Sequence, residues 1–298
     1  MTMKIVVTGG TGCIGHQLLP TLVSAGYRVW ALTRQSPQTL DNLGGHITYV
    51  NDLSSVPDMD AVINLAGEGV LDARWSESRK QILMDSRIGT TRLLLDWMKK
   101  RQQPPQTLIS GSAVGYYGYH GSDRRIDESV SPQDDFASRL CQQWEASAQE
   151  AEALGIRVCT MRIGVVLAAN AGALARMLPP FKLGLGGPIA TGEQMFSWIQ
   201  REDLVAMILF LLHSPELSGP FNATSPMPVT NQQFSKALAR ALRRPCWLTV
   251  PAYAMRLMLG EAADLLIKGQ AVIPERLEKA GFSFRFADID SAIEHSLA

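Results

Sequence analysis

Three glycines at fixed spacing, Gly9-x-x-Gly12-x-x-Gly15, separate the apolar run Ile5-Val6-Val7 from an amphipathic segment that starts at His16. Glycine loses more conformational entropy on folding than any other residue, so such a cluster needs a reason in backbone geometry or close approach. Phosphate binding supplies one. The first glycine makes a tight turn, the second lets the backbone approach a pyrophosphate, and the third lets the next helix pack on the strand. The anion then sits at a helix N-terminus, where free N–H groups and the macrodipole favour it. Gly9, Gly10, Thr11, Gly12, Cys13, Ile14 and Gly15 are therefore candidate cofactor-binding residues, because the pattern follows a strand and opens a helix.

The end of the second strand selects the nucleotide. An acid there takes the ribose hydroxyls of NAD, whereas an arginine takes the 2′-phosphate of NADP. The sequence "VWALTRQS" offers Thr33 and Arg34, with no acid until Asp41. NADP(H) is preferred over NAD(H).

These residues need a scaffold, and the hydrophobic pattern supplies it. "KIVVTG", "YRVWALTR", "DAVINLAG", "QTLISGSA" and "IRVCTMRIGVVL" read as strands alternating with helical-period segments, which predicts βαβ units around a parallel sheet. The fold class is α/β: a Rossmann-type doubly wound parallel sheet with a smaller, mainly helical C-terminal lobe. The rhythm changes near Leu167, placing a nucleotide-binding domain at 1–167, with 200–225 returning to it, and the second lobe at 168–298. "LGLGGPIATGEQMFSWI" reads as a flexible interlobe connection or a loop closing over ligand.

Composition narrows the partners. The chain has 298 residues and a formal net charge of +0, so nothing suggests a nucleic-acid-binding field. Four cysteines (Cys13, Cys141, Cys159, Cys246) lack metal-ligand or disulfide-framework spacing. No metal is expected. The pattern lacks a signal peptide or a run of about 20 apolar residues, so a cytoplasmic protein without membrane partners is expected, acting on a small molecule as a monomer or homodimer.

Further motifs, "TGGTGCIG", "LTR", "NDL", "INLAGE", "ISGSAVGYYG" and "WIQREDLV", resemble the extended and atypical short-chain dehydrogenase/reductases of the NAD(P)-dependent epimerase/dehydratase group. "ARWSESRK", "SRIGTTRLL", "LPPFKLGLGGPI" and the tail "LLIKGQAVIPERLEKAGFSFR", at about 245–295, resemble the subfamily of SDR family 39U member 1-like epimerase family proteins. The resemblance implies that Asp52 and Leu53 lie beside the adenine, and that Leu65, Ala66 and Gly67 line the cofactor. It also implies that Arg87 contacts the cofactor and that Ile163 closes its nicotinamide side.

Ordinary members of the superfamily hold the substrate oxygen with a Ser and move its proton with a Tyr, whose pKa a Lys four residues later lowers. A tyrosine starts near about 10 and needs that cation to act as a base at neutral pH. Ser112 matches the serine, but the Tyr-x-x-x-Lys is absent. In "DDFASRLCQQWE" the tyrosine place falls on Phe136 or Ala137 and the lysine place on Leu140 or Cys141, the second register being the one the resemblance favours. Tyr116 and Tyr117 are candidate substitutes, with Arg139 or Arg87 as the cation. Two readings follow: an oxidoreductase or epimerase acting on a small carbonyl or hydroxyl compound, or a non-catalytic NADP(H)-sensing protein.

Overall fold

The computed structural model describes residues 2–121 and 124–298. Its strands are β1 (Lys4–Thr8), β2 (Arg28–Leu32), β3 (Ile47–Val50), β4 (Ala61–Asn64), β5 (Thr107–Ala113), β6 (Arg125–Ile126), β7 (Arg157–Ile163), β8 (Val165–Leu167), β9 (Met195–Phe196), β10 (Trp198–Gln200), β11 (Gly219–Ala223), β12 (Val229–Thr230) and β13 (Ala271–Val272). Seven of them form one sheet in the order β11-β7-β5-β4-β1-β2-β3. Every pairing in it is parallel. The order reverses between β1 and β4, which places a ligand crevice outside their carboxyl ends.

Helices cover both faces. Within β1, Ile5 and Val7 point to the side of α1 (Gly15–Ser24), whereas Val6 points the other way. On that other side lie α2 (Glu77–Met84), α3 (Thr90–Lys99) and α4 (Phe136–Gln149). The remaining helices are α5 (Gly172–Lys182), α6 (Arg201–His213), α7 (Asn231–Ala241), α8 (Ala252–Leu259), α9 (Asp264–Ile267), α10 (Glu275–Lys279) and α11 (Ile289–Leu297). Leu204, Ile208 and Leu211 of α6 join the core beside α1, while α5, α7 and α11 build a separate core around Trp198, Phe181 and Phe234. Thr230 and Gln233 form a reciprocal capping box that starts α7.

Two departures from the periodic pattern matter for the site. The apolar run from Ile156 to Leu167 reads as one strand, yet it breaks at Gly164. There the Val165 N–H turns to the Ser197 carbonyl at 2.8 Å, and β8 pairs with β10 instead of extending the main sheet. The helical segment from Glu77 to Lys99 is interrupted by a π-helical turn at Asp85–Gly89. A buried chain of side chains fastens that turn: Thr8 donates to Asn64 at 2.6 Å, Asn64 to Thr91 at 2.9 Å, and Thr91 to the Arg87 carbonyl at 2.8 Å. The turn is thereby tied to the ends of β1 and β4.

Trp198 is fully buried, with its indole N–H on the Met227 carbonyl at 3.2 Å, so it is core and not a wall of the crevice. Trp198→Ala is expected to lower stability by about 3–5 kcal/mol, measured by urea unfolding.

Candidate active site

The glycine loop is shaped as a phosphate cradle. Gly9 has φ +72°, and a Cβ there would stand 2.5 Å from the Leu65 carbonyl oxygen; at Gly15 it would stand 2.2 Å from the Gly10 oxygen. Backbone meets backbone at both positions, so no other residue fits. At Gly12 a Cβ would have only the Gly9 oxygen within 4 Å, at 3.2 Å, and would fill the space above the loop. The N–H groups of Thr11, Cys13 and Ile14 have no protein acceptor among the described residues. Ile14, before α1, supplies no side-chain cap. Open donors at a helix start are what an anion requires, and the residues fit a pyrophosphate.

At the end of β2 an open cleft of about 610 Å³ is lined by Thr33, Arg34, Gln35, Ser36, Pro37, Gln38 and Asn51. The Asn51 amide donates to the carbonyls of Thr33 and Gln35 at 2.8 and 2.9 Å, fixing the loop that carries Arg34. Arg34 is exposed and its guanidinium donates to Glu68 at 2.8 Å. Because β1 lies between β2 and β4, this ion pair crosses above the glycine loop. Asn51 and Glu68 stand in the motifs "NDL" and "INLAGE", but motif spacing assigns neither a role, because each meets its partner across a long chain separation.

Asp52 is exposed and accepts from the Ser54 N–H at 2.7 Å and from its hydroxyl, bonds that hold its carboxyl below the usual range. Leu53 beside it is buried. Leu65 meets Gly9, and the Ala66 N–H donates to Thr8 Oγ1 at 3.2 Å. Arg87 lies under Gly67, where a Cβ would be 3.0 Å from the guanidinium carbon. Its guanidinium donates to the carbonyls of Glu68 and Leu83 at 2.8 and 3.2 Å and rests over the Trp144 ring at 5.3 Å. Burial lowers its pKa, yet an arginine stays charged. No carboxylate bonds it among the described residues, leaving a cation directed at the crevice floor. Ile163 is half-buried at the end of β7, level with Ala113.

The catalytic end differs most from the sequence reading. Asp135 caps α4 by accepting the Ser138 N–H at 2.9 Å, which sets the helix phase. Phe136 and Leu140 turn into a cluster with Leu83 and Trp144. Ala137 and Cys141 face Gly115, where a Cβ would be 3.4 Å from the Ala137 methyl and 3.9 Å from Cys141 Sγ. The positions of the usual pair that face the end of β5 thus hold a methyl and a thiol. Burial, with the Glu145 carboxylate nearby, pushes the Cys141 thiol up to about 12. It remains a neutral thiol rather than a nucleophile.

Ser112 is buried and donates to Glu145 at 2.6 Å. Glu145 is held by a two-point pair with Arg162, Nε and Nη2 each at 2.9 Å. Arg162 also donates to the Tyr117 hydroxyl at 2.9 Å, and Tyr117 donates to Asn222 at 2.6 Å. Tyr117 has no solvent exposure, and burial pushes its pKa up to about 12. The hydroxyl protons of Ser112 and Tyr117 are therefore committed to an internal network, and substrate does not reach Tyr117. Tyr116 differs: it is half-buried, the Arg162 guanidinium lies 3.4 Å over its ring, and its hydroxyl has no partner among the described residues. Arg139 is exposed and pairs with Asp134 at 2.7 Å, away from the end of β5. Asp203 accepts the N–H groups of Arg285 and Phe286, each at 2.9 Å, and is structural.

The C-terminal lobe meets the carboxyl edge of the sheet. The Gln270 amide donates to the Val114 carbonyl at 2.7 Å, tying that lobe to the end of β5. Beside this seam a cavity of about 150 Å³ is lined by polar groups that include Tyr119, Thr191, Glu193, Gln194 and Lys268. Two carbonyls, of Ile189 and Leu266, take the amide hydrogens of Gln194 at 3.0 and 2.9 Å, leaving its Oε1 an unpartnered buried acceptor.

Strand order, glycine cradle and the arginine after β2 define a dinucleotide-binding protein of Rossmann type, atypical in lacking the proton-transfer pair. The chain belongs to the NAD dependent epimerase/dehydratase family, whose model matches residues 5–223. A domain of unknown function, DUF1731, matches residues 250–296. The chain is similar to the epimerase family protein YfhF of Bacillus subtilis, 38% identical over 303 residues, covering 99% of this chain and 98% of the relative. The epimerase family protein ML0860 of Mycobacterium leprae is 40% identical over 294 residues, covering 98% and 95%. Among solved structures, the human epimerase family protein SDR39U1 (isoform 2), crystallised with NADPH, superposes with TM-score 0.89 at 33% identity over 98% of each chain.

Glu145→Ala strands the Arg162 charge inside the protein. The expected loss is about 3–5 kcal/mol in urea unfolding, against a smaller loss for Glu145→Gln, which keeps a hydrogen-bond acceptor.

Proposed function

We propose that the chain is an NADP(H)-dependent oxidoreductase or epimerase of the atypical kind, acting on a small carbonyl or hydroxyl compound held at the lobe seam. The observation that carries the cofactor choice is Arg34: an exposed guanidinium on a fixed loop, lining an open cleft with no carboxylate at the end of β2. The NADPH in the human relative's crystal structure supports the same reading. A bound nicotinamide would supply or accept the hydride.

The chain's own residues do the rest. The N–H groups of Thr11, Cys13 and Ile14 hold the pyrophosphate, and Arg34 leaves Glu68 for the 2′-phosphate. The Arg87 cation fits the anionic or ribose portion that passes over Gly67. Tyr116, adjacent in the chain to Gly115, is the hydroxyl best placed to donate or accept the substrate's proton, with the Arg162 guanidinium holding its ring. Ser112 and Tyr117 support the site through the buried network.

A second reading, an NADP(H)-sensing protein without turnover, is favoured by Ala137 and Cys141 at the positions of the missing pair. Turnover on a carbonyl panel separates the two, and a partner set that changes between NADPH and NADP⁺ supports the second.

In calorimetric titration, Arg34→Ala is expected to weaken NADPH binding by about tenfold or more, the worth of a charge-assisted hydrogen bond, and to leave NADH binding unchanged. Glu68→Gln releases Arg34 and is expected to tighten NADPH binding by up to about fivefold, the range of an exposed ion pair. Tyr116→Phe is expected to lower kcat by about 10²–10⁴-fold with nucleotide affinity unchanged; undiminished turnover would remove Tyr116 from the mechanism.

A further inference from the structure

We propose that an apolar, basic face of the C-terminal lobe docks on the surface of an anionic lipid bilayer. Leu183 and Trp247 are 74% and 71% exposed, and Tyr253 and Leu257 are 75% and 74% exposed. Leu185 and Met258 are also uncovered. Backbone bonds bring the first segments together: Val250 donates to the Pro188 carbonyl at 2.9 Å and Ala190 to the Val250 carbonyl at 2.8 Å. A Cβ on Gly184 would touch the Pro245 ring at 3.5 Å. Helix α8 begins directly after this pairing, and Tyr253 and Leu257, four residues apart, share one of its faces. Of its residues only Met255 is buried. Arg256 is the one charged residue of α8; a helix apolar over most of its circumference is normally covered, and contiguous exposed patches mark interaction surfaces.

Charge identifies the partner. From Asn231 to Gly260 the chain carries Lys236, Arg240, Arg243, Arg244 and Arg256 and no Asp or Glu, and Lys182 immediately precedes Leu183. Arg240 and Arg256 pair with Asp290 and Asp264. Lys182, Lys236, Arg243 and Arg244 are exposed and form no ion pair among the described residues. Lys236 acts electrostatically on Cys246, next to Trp247. Trp, Tyr and Leu side chains rimmed by unpaired cations match a bilayer interface: the apolar groups enter the acyl boundary and the cations meet headgroup phosphates. A second copy in a two-fold contact would set this basic rim against itself. No helix among the described residues is long and apolar enough to cross a membrane. Interfacial docking needs none.

The full chain is tested by sedimentation with vesicles of phosphatidylcholine alone and of phosphatidylcholine with phosphatidylglycerol in equal parts, at low and high salt. Light scattering is run in parallel. The expected result is binding to the anionic vesicles only, weakened by salt. Arg243→Glu with Arg244→Glu is expected to reduce the partition coefficient about tenfold or more, and Trp247→Ser to reduce it at every salt concentration, both with unchanged Tm. Binding to neither vesicle, or variants that bind like the wild type, would overturn the proposal. So would a dimer that Trp247→Ser dissociates, because a second copy would then cover the face.

Discussion

The buried pair of Arg162 and Glu145 holds the functional half of this molecule in place. Both side chains are almost wholly inside the protein, and two parallel N–H···O bonds join them. Charges in such a place are tolerated only when their remaining donors and acceptors are satisfied. Here Ser112, Tyr117 and the Glu128 carbonyl do so, and Tyr117 passes the chain on to Asn222. Asn222 donates to the Ile273 carbonyl at 2.8 Å. Strands β5, β7 and β11, helix α4 and the segment following β13 are all anchored to one ion pair. The seam between the lobes is set by the same network.

That arrangement explains the altered catalytic end. A serine whose proton goes to a carboxylate and a tyrosine clamped between an amide and a guanidinium are supports rather than reagents. The helix that ordinarily brings a tyrosine and a lysine to the end of β5 brings Ala137 and Cys141 there, because the Asp135 cap fixes its phase. Tyr116, whose ring Arg162 covers, has a hydroxyl without a partner among the described residues. The site retains a cation beside a phenol, but the cation reaches the ring from the sheet instead of from the next helical turn.

At the cofactor end, the site is built from backbone N–H groups and an exposed arginine. The glycine loop presents N–H groups without a protein acceptor among the described residues, whereas Arg34 is paired with Glu68. An exposed ion pair of this kind is weak. The π-helical turn under Gly67 keeps Arg87 below the crevice, fastened through Thr91 and Asn64 to the first strand. The two ends of the dinucleotide site are thus tied to the same pair of strands, where the sheet order reverses.

By itself the sequence determined the parallel α/β core, the glycine cradle, the arginine after β2 and the loss of the Tyr-x-x-x-Lys pair. These are local properties: periodicity, spacing and residue type within a few positions along the chain. Only the tertiary structure decided that Arg34 meets Glu68, that Glu145 and Arg162 find each other across 17 residues, and that Ser112 and Tyr117 are consumed between them. It alone decided which register of α4 faces Gly115 and which apolar side chains after Leu183 stay uncovered. Those outcomes depend on strand order and helix phase, which bring distant segments together, and no pattern of neighbouring residues encodes the partner a buried charge will meet.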